Sequence, residues 1–193
     1  AYGEHKKLPY EEDFCLNGLT PYEASKSCTD ILTRTYAKTY GLPVAVTRCG
    51  NIYGPGDINW SRIIPGTIKA VLNNERPIIR SAGTPVRDYI YLPDIISAYI
   101  VIAEKLDEKG VFGEAFNFGT ETSISVRELV KKIIALTGKN IEPVILNEAK
   151  NELQQQYLGW AKAKNVLGWK PKYALDYGLK ETIKWYEDFF SKQ

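Results

Sequence analysis

The stretch from Thr20 to Cys49 constrains the fold more than any other part of the chain. Thr20 is a good N-cap, Pro21 suits the first helical position, and Glu23 stands three residues after the cap, which together make a capping box. Cys28, Ile31, Leu32 and Thr35 follow at helical spacing, and Gly41-Leu42-Pro43 stops the helix near residue 40. The run Val44–Cys49 comes directly afterwards, short, apolar and rich in β-branched residues, as a buried strand is. A capped helix beside a buried strand points to an α/β protein with parallel sheet.

Residues 1–19 read as irregular, with Pro9, Asn17 and Gly18 as turn markers. Gly50 to Trp60, which holds Gly50, Gly54, Pro55 and Gly56, reads as loop. Beyond it the patterns predict helices near 64–73, 93–106, 125–138, 161–167 and 176–190. Strands are predicted near 77–80, 87–91, 115–118 and 141–146. Ser125 and Glu128 form a second capping box, and Gly138 and Gly168 mark helix stops. The result is a mixed α/β protein whose first strand needs neighbours to cover its edges. The sequence has no Met and opens Ala-Tyr-Gly, so the chain is expected to be part of a longer protein.

Composition narrows the function classes. Twenty-five Lys and Arg against 23 Asp and Glu leave a formal charge of +2, which gives no reason to expect nucleic acid or an anionic membrane as partner. Cys15, Cys28 and Cys49 are odd in number and lack metal-ligand spacing, and His5 is the single histidine. No metal site is expected, and unpaired cysteines imply a reduced, cytoplasmic setting. The longest apolar run, around Ile95–Ala103, is broken by Ser97 and is too short to span a bilayer.

Tyr22 and Lys26 stand four residues apart on the predicted helix, so both project from one face. A free tyrosine phenol has a pKa of about 10, and bringing one to neutrality takes roughly 4 kcal/mol of differential stabilisation, for which a nearby ammonium is one source. Such pairs also arise by chance, as a half-buried tyrosine with an exposed lysine lying along it.

The surrounding blocks change that balance. Pro21–Lys26 (PYEASK), Arg48–Pro55 (RCGNIYGP), Arg87–Asp94 (RDYIYLPD), Ala163–Pro171 and the Gly178–Tyr186 run occur in the order and at the spacing of the extended short-chain dehydrogenases/reductases. The chain resembles that superfamily over nearly its whole length. Ser25–Asp30, Thr47–Tyr53, Asn59–Thr67 and Gln156–Leu158 look most like the CDP-glucose 4,6-dehydratases within it.

The resemblance implies an α/β fold in which residues 1–60, with catalytic helix 21–40 and strand 43–49, form the end of an NAD-binding Rossmann domain. Residues 61–193 would then form mainly a smaller mixed α/β domain that binds a nucleotide sugar. It implies NAD as cofactor, Tyr22 and Lys26 as catalytic and cofactor-binding residues, and CDP-glucose as substrate. It also implies a homodimer or higher homo-oligomer, since the helix at 22–40 often pairs in such dimers.

On the substrate side, Asn51 is expected at the diphosphate or sugar, with stabilisation of its own turn as the alternative. Arg62 and Arg87 are candidate diphosphate clamps because a guanidinium fork matches phosphate oxygens, although Arg87 could instead form a surface ion pair. Trp60 and Tyr157 either pack on the base or pack within the domain. Arg48 is expected to support its loop and Asp94 to cap or initiate the next helix, while Asn117 and the Arg80 region could line the nucleotide pocket. The Gly-rich phosphate-binding turn does not occur in the sequence, and Ala1–Gly3 resembles the residues just after the Ser/Thr-Asp-Lys element of these enzymes. A nucleotide-sugar 4-epimerase of the same superfamily, and a non-catalytic nucleotide-sugar-binding module, are the alternatives.

Overall fold

The computed structural model describes residues 1–149 and 153–192. Helix α1 runs Pro21–Tyr40, and its capping box is complete. The Glu23 N–H donates to the Thr20 hydroxyl at 3.2 Å, and the Thr20 N–H donates to the Glu23 carboxylate at 3.0 Å. Gly41 ends the helix at φ 66°, a left-handed conformation that a Cβ disfavours.

Strand β1 (Val46–Cys49) follows and pairs in parallel with β5 (Ala115–Phe118), Arg48 opposite Asn117. Gly50 separates it from β2 (Asn51–Tyr53), which pairs in parallel with β4 (Val86–Tyr91). A strand therefore lies where the local pattern predicts loop. Glycines mark Gly50–Trp60 as irregular, but the pairing of Asn51 with Tyr89 and Tyr53 with Tyr91 extends its start.

Strand β4 is the hub of its sheet. It is antiparallel to β6 (Ser123–Ser125) and parallel to β8 (Gln155–Gln156), two short strands that carry no periodic signal of their own. A separate parallel pair joins β3 (Ile78–Ile79) to β7 (Val144–Ile145). Helices α2 (Ile63–Leu72), α3 (Leu92–Lys105), α4 (Val126–Leu136) and α5 (Leu175–Phe190) lie within a residue or two of their predicted bounds. The short helical segment near 161–167 closes as a π-helical turn over Ala163–Leu167.

Successive residues of β4 point to opposite faces, and both faces are buried. Tyr89 and Tyr91 join Ile64 and Ile68 of α2, Leu129 and Ile133 of α4, and Leu179, Ile183 and Tyr186 of α5. Ile90, on the other face, joins Ile95, Ala98 and Ile102 of α3 with Phe116 and Phe118 of β5. Gly178 lets α5 approach closely, since a Cβ there would collide with the Tyr53 hydroxyl.

Asp94 lies in the first turn of α3, as one of its two expected roles requires, but not as a cap. It is fully buried and does not cap its own helix, which starts after Tyr91 without a side-chain cap. Its carboxylate accepts from the Lys172 and Tyr173 N–H groups at 2.8 and 3.3 Å, tying the segment before α5 onto α3. Among the described residues, no helix is long and apolar enough to cross a membrane.

Candidate functional site

A cleft of about 1430 Å³ opens along α1, β1, β2, the start of α2 and the edge of β4. Tyr22 and Lys26 line it from α1, Asn51 from β2, Arg62 from the residue before α2, and Arg87 from β4. Tyr22 is largely exposed to it, and the Lys26 ammonium lies 5.5 Å from the Tyr22 ring centroid. The pair is fixed by its helix: four residues on an α-helix return to the same face.

The Asn51 amide donates to the Asp88 carbonyl at 3.2 Å, so the side chain bridges to the neighbouring strand rather than closing its own turn. Asp88 is itself buried behind the cleft wall. Its carboxylate accepts from the Thr120 hydroxyl at 2.6 Å, the Thr120 N–H at 3.1 Å and the Leu158 N–H at 3.4 Å. Burial pushes the carboxyl above its ordinary range while those donors work the other way. This buried carboxylate holds β4, the turn at Gly119–Thr120 and the segment at Leu158 together, and so places Asn51 and Arg87 on one wall.

Arg87 donates to the Val86 carbonyl at 2.9 Å at the cleft's edge. Arg62 is exposed and pairs with Asp57 at 3.0 Å. That pair is weak by its exposure, leaving the guanidinium able to exchange its partner for an anion. Trp60 touches the cleft but packs against Tyr186 and Phe190 with centroids 5.8 Å away, and Lys69 lies 4.8 Å over its ring. Packing is its main role.

Tyr157 is not brought to the cleft. It is half-buried, and its carbonyl accepts from the Tyr10 N–H at 3.0 Å, while its neighbours Gln156 and Leu158 do line the cleft. Asn117 is fully buried away from it, whereas Arg80 lines it. Cys49 also faces the cleft, but burial pushes its thiol up to about 11, so it is a neutral wall residue rather than a nucleophile.

Arg48 departs most from expectation. Its guanidinium does not brace the loop after β1; it reaches back to α1. Nε donates to Asp30 at 2.7 Å and Nη2 to the other Asp30 oxygen at 3.0 Å, with both residues buried. Nη1 donates to the Tyr2 hydroxyl at 2.7 Å and to the Glu12 carbonyl at 3.1 Å. Burial works against the arginine's charge, and the Asp30 and Tyr2 bonds more than offset it, holding its pKa above the ordinary value. Asp30 lies one turn beyond Lys26, and nothing local in the sequence marks it as Arg48's partner.

The family model described as GDP-mannose 4,6 dehydratase matches residues 1–182. The dTDP-D-glucose 4,6-dehydratase of Bos taurus is 29% identical over 196 residues, covering 98% of this chain and 54% of the relative. The CDP-glucose 4,6-dehydratase of Salmonella typhimurium is 29% identical over 191 residues, covering 92% of this chain and 53% of the relative. The chain thus spans about half the length of these relatives. Among solved structures, the dTDP-glucose 4,6-dehydratase of Bacillus anthracis in complex with NAD superposes with TM-score 0.83 at 33% identity, covering 96% of this chain and 58% of the other. The UDP-glucose 4-epimerase of Thermotoga maritima with UDP-glucose gives TM-score 0.90 at 32% identity, covering 98% and 60%. The Rossmann-like α/β fold expected from the sequence is the fold these structures share.

Proposed function

This chain belongs to the sugar-nucleotide dehydratase/epimerase family of the short-chain dehydrogenases/reductases, and from that premise we propose that it is the C-terminal part of a CDP-glucose 4,6-dehydratase. The observation that carries the proposal is the Tyr22–Lys26 pair, 5.5 Å from ammonium to ring, opening into the cleft that Asn51, Arg62 and Arg87 also line. The reaction converts CDP-glucose to CDP-4-keto-6-deoxyglucose and water. It is redox-neutral, because C4 is oxidised from alcohol to ketone while C6 loses its hydroxyl and is reduced to a methyl group.

The open face of Tyr22 and Lys26 fits a nicotinamide ribose, with Lys26 as its holder. When bound, NAD supplies reversible acceptance of hydride. Tyr22, as phenolate, takes the proton of the sugar's C4 hydroxyl as general base and becomes a neutral phenol, and Lys26 stabilises the phenolate before that transfer. Arg62 and Arg87 neutralise the diphosphate, and Asn51 orients the sugar or its phosphates from just past the C-terminal end of β1, and ligands of open α/β sheets bind at such strand ends. We assign residues 1–60 to the end of the NAD-binding domain and residues 61–193 mainly to the substrate domain, although β5, beyond residue 60, pairs with β1. We expect this stretch to be inactive alone, because it spans about half the length of the relatives it matches.

The base assignment rests on Ser25–Asp30, Thr47–Tyr53 and Asn59–Thr67. The test is turnover by the full-length protein with CDP-, dTDP- and UDP-glucose, the products read by NMR. We expect a C6 methyl group beside a C4 ketone, with CDP-glucose the best substrate by kcat/KM. Preference for dTDP-glucose would sink the base assignment alone. A C4 epimer with its C6 hydroxyl intact would sink the dehydratase reading in favour of the 4-epimerase, which the fit to the Thermotoga maritima structure favours. Binding without turnover would support a binding module.

A further inference from the structure

The inner side of α1 at the level of the catalytic pair is polar. Its buried residues are Ser27, Asp30 and Ala37, in place of the apolar ridge that holds most helices to a sheet. Ser27 donates to the Ala1 carbonyl at 3.0 Å. Asp30, one turn beyond Lys26, receives both arms of the Arg48 fork. Arg48 also lies 4.9 Å over the Tyr2 ring while donating to its hydroxyl, and that hydroxyl donates in turn to the Asn117 side-chain oxygen at 2.7 Å. Asn117 closes the chain through its amide to the Tyr10 carbonyl at 2.9 Å and its N–H to the Glu12 carboxylate at 2.7 Å. Tyr2, Asp30, Arg48 and Asn117 are all buried.

We propose that Arg48 is a positioning residue for Tyr22 and Lys26, setting the rotation and the axial register of the catalytic helix through its bidentate bond to Asp30 and its link to Tyr2. This rests on the reading that Tyr22 and Lys26 perform the chemistry. An apolar contact tolerates sliding and rotation; a planar fork on two carboxylate oxygens tolerates neither. Arg48 sits on β1, directly opposite Asn117 on β5, so the same group that grips the helix is anchored across the parallel pair. The network also reaches Ala1–Tyr2, which line the cleft alongside Tyr22 and Lys26, so the helix and that part of the cleft wall are tied by the same bonds.

The test compares Arg48→Lys, which keeps the charge but loses the fork, and Tyr2→Phe, which keeps the ring but cuts the hydroxyl's bonds to both Arg48 and Asn117. The control is Asp94→Asn, which breaks a buried tie outside the cleft. All are made in the full-length protein and compared at the same interval below each variant's melting temperature. Amide hydrogen exchange over residues 22–34 is expected to rise roughly tenfold in Arg48→Lys and less in Tyr2→Phe, and not to change in Asp94→Asn. Misplacement of the pair is expected to lower kcat by roughly ten- to a hundredfold in Arg48→Lys, with KM for the nucleotide sugar within about twofold.

Unchanged exchange in α1, or equal losses of kcat in the control and in Arg48→Lys, would overturn the proposal. If the wild-type protein turns over no nucleotide sugar, the functional reading fails, and the exchange data alone decide whether Arg48 positions this helix.

Discussion

Helices α1 and α4 begin with the same device and are held in the fold by opposite means. Both open with a capping box, Thr20 with Glu23 in one and Ser125 with Glu128 in the other. Helix α4 then buries Val126, Leu129, Val130, Ile133 and Ile134, a stripe at the spacing of an amphipathic helix. Helix α1 leaves Ile31, Leu32, Tyr36 and Tyr40 exposed and buries Ser27 and Asp30 instead. Burial of apolar area is cumulative and forgiving, whereas a buried ion pair depends on both partners. The helix that carries Tyr22 and Lys26 is therefore placed by a few directed bonds, and the helix that carries no site residue is placed by bulk packing.

The contrast breaks first on activity. In the full-length protein, Tyr22→Phe should lower turnover by roughly 10²–10⁴-fold, the usual contribution of a general base, and leave the melting temperature unchanged because the side chain is exposed. A large stability loss with retained turnover would reverse the roles assigned to the two helices. Next in size is Asp30→Ala, which strands the Arg48 charge in a buried site and should cost about 3–5 kcal/mol by urea unfolding. A cost under about 1 kcal/mol would mean that α1 is held by something other than this pair.

Leu129→Ala in α4 should cost about 2–5 kcal/mol through transfer and cavity terms, with kcat unaffected at temperatures where the variant is folded. Thr20→Ala and Ser125→Ala test the device the helices share. Each should cost about 1 kcal/mol, and similar values would confirm that capping is local and independent of how each helix is packed. Smallest of all, Ile31→Ala and Leu32→Ala should change the stability of the isolated chain by no more than about 0.5 kcal/mol, since both are exposed. If the full-length protein forms a homo-oligomer through this face, the same substitutions should weaken it in analytical ultracentrifugation without touching the fold.

Several features of the site were readable before any tertiary information, and each is local in origin. The four-residue spacing of Tyr22 and Lys26 on a capped helix places them together whatever surrounds it. Asn51 follows the strand that Val44–Cys49 announces, and Arg87 lies at the start of a strand that its own segment announces. Tyr157 failed to reach the cleft although Gln156 and Leu158 did, because a two-residue strand alternates its faces and gives no period from which to choose one. Asp94 misled for a related reason: a carboxylate near a helix start suits an N-cap, yet its acceptors are taken by Lys172 and Tyr173, far along the chain.

By itself the sequence determined the starts and stops of the helices and the main strands, since caps, prolines and left-handed glycines act within about four residues. Only the tertiary structure decided that β2 is a strand, that the stripe on α1 faces outward, and that Arg48 grips Asp30 rather than its own loop. Those outcomes depend on partners brought close from distant positions, and a buried charge or a three-residue strand is stable only where such a partner completes its hydrogen bonds.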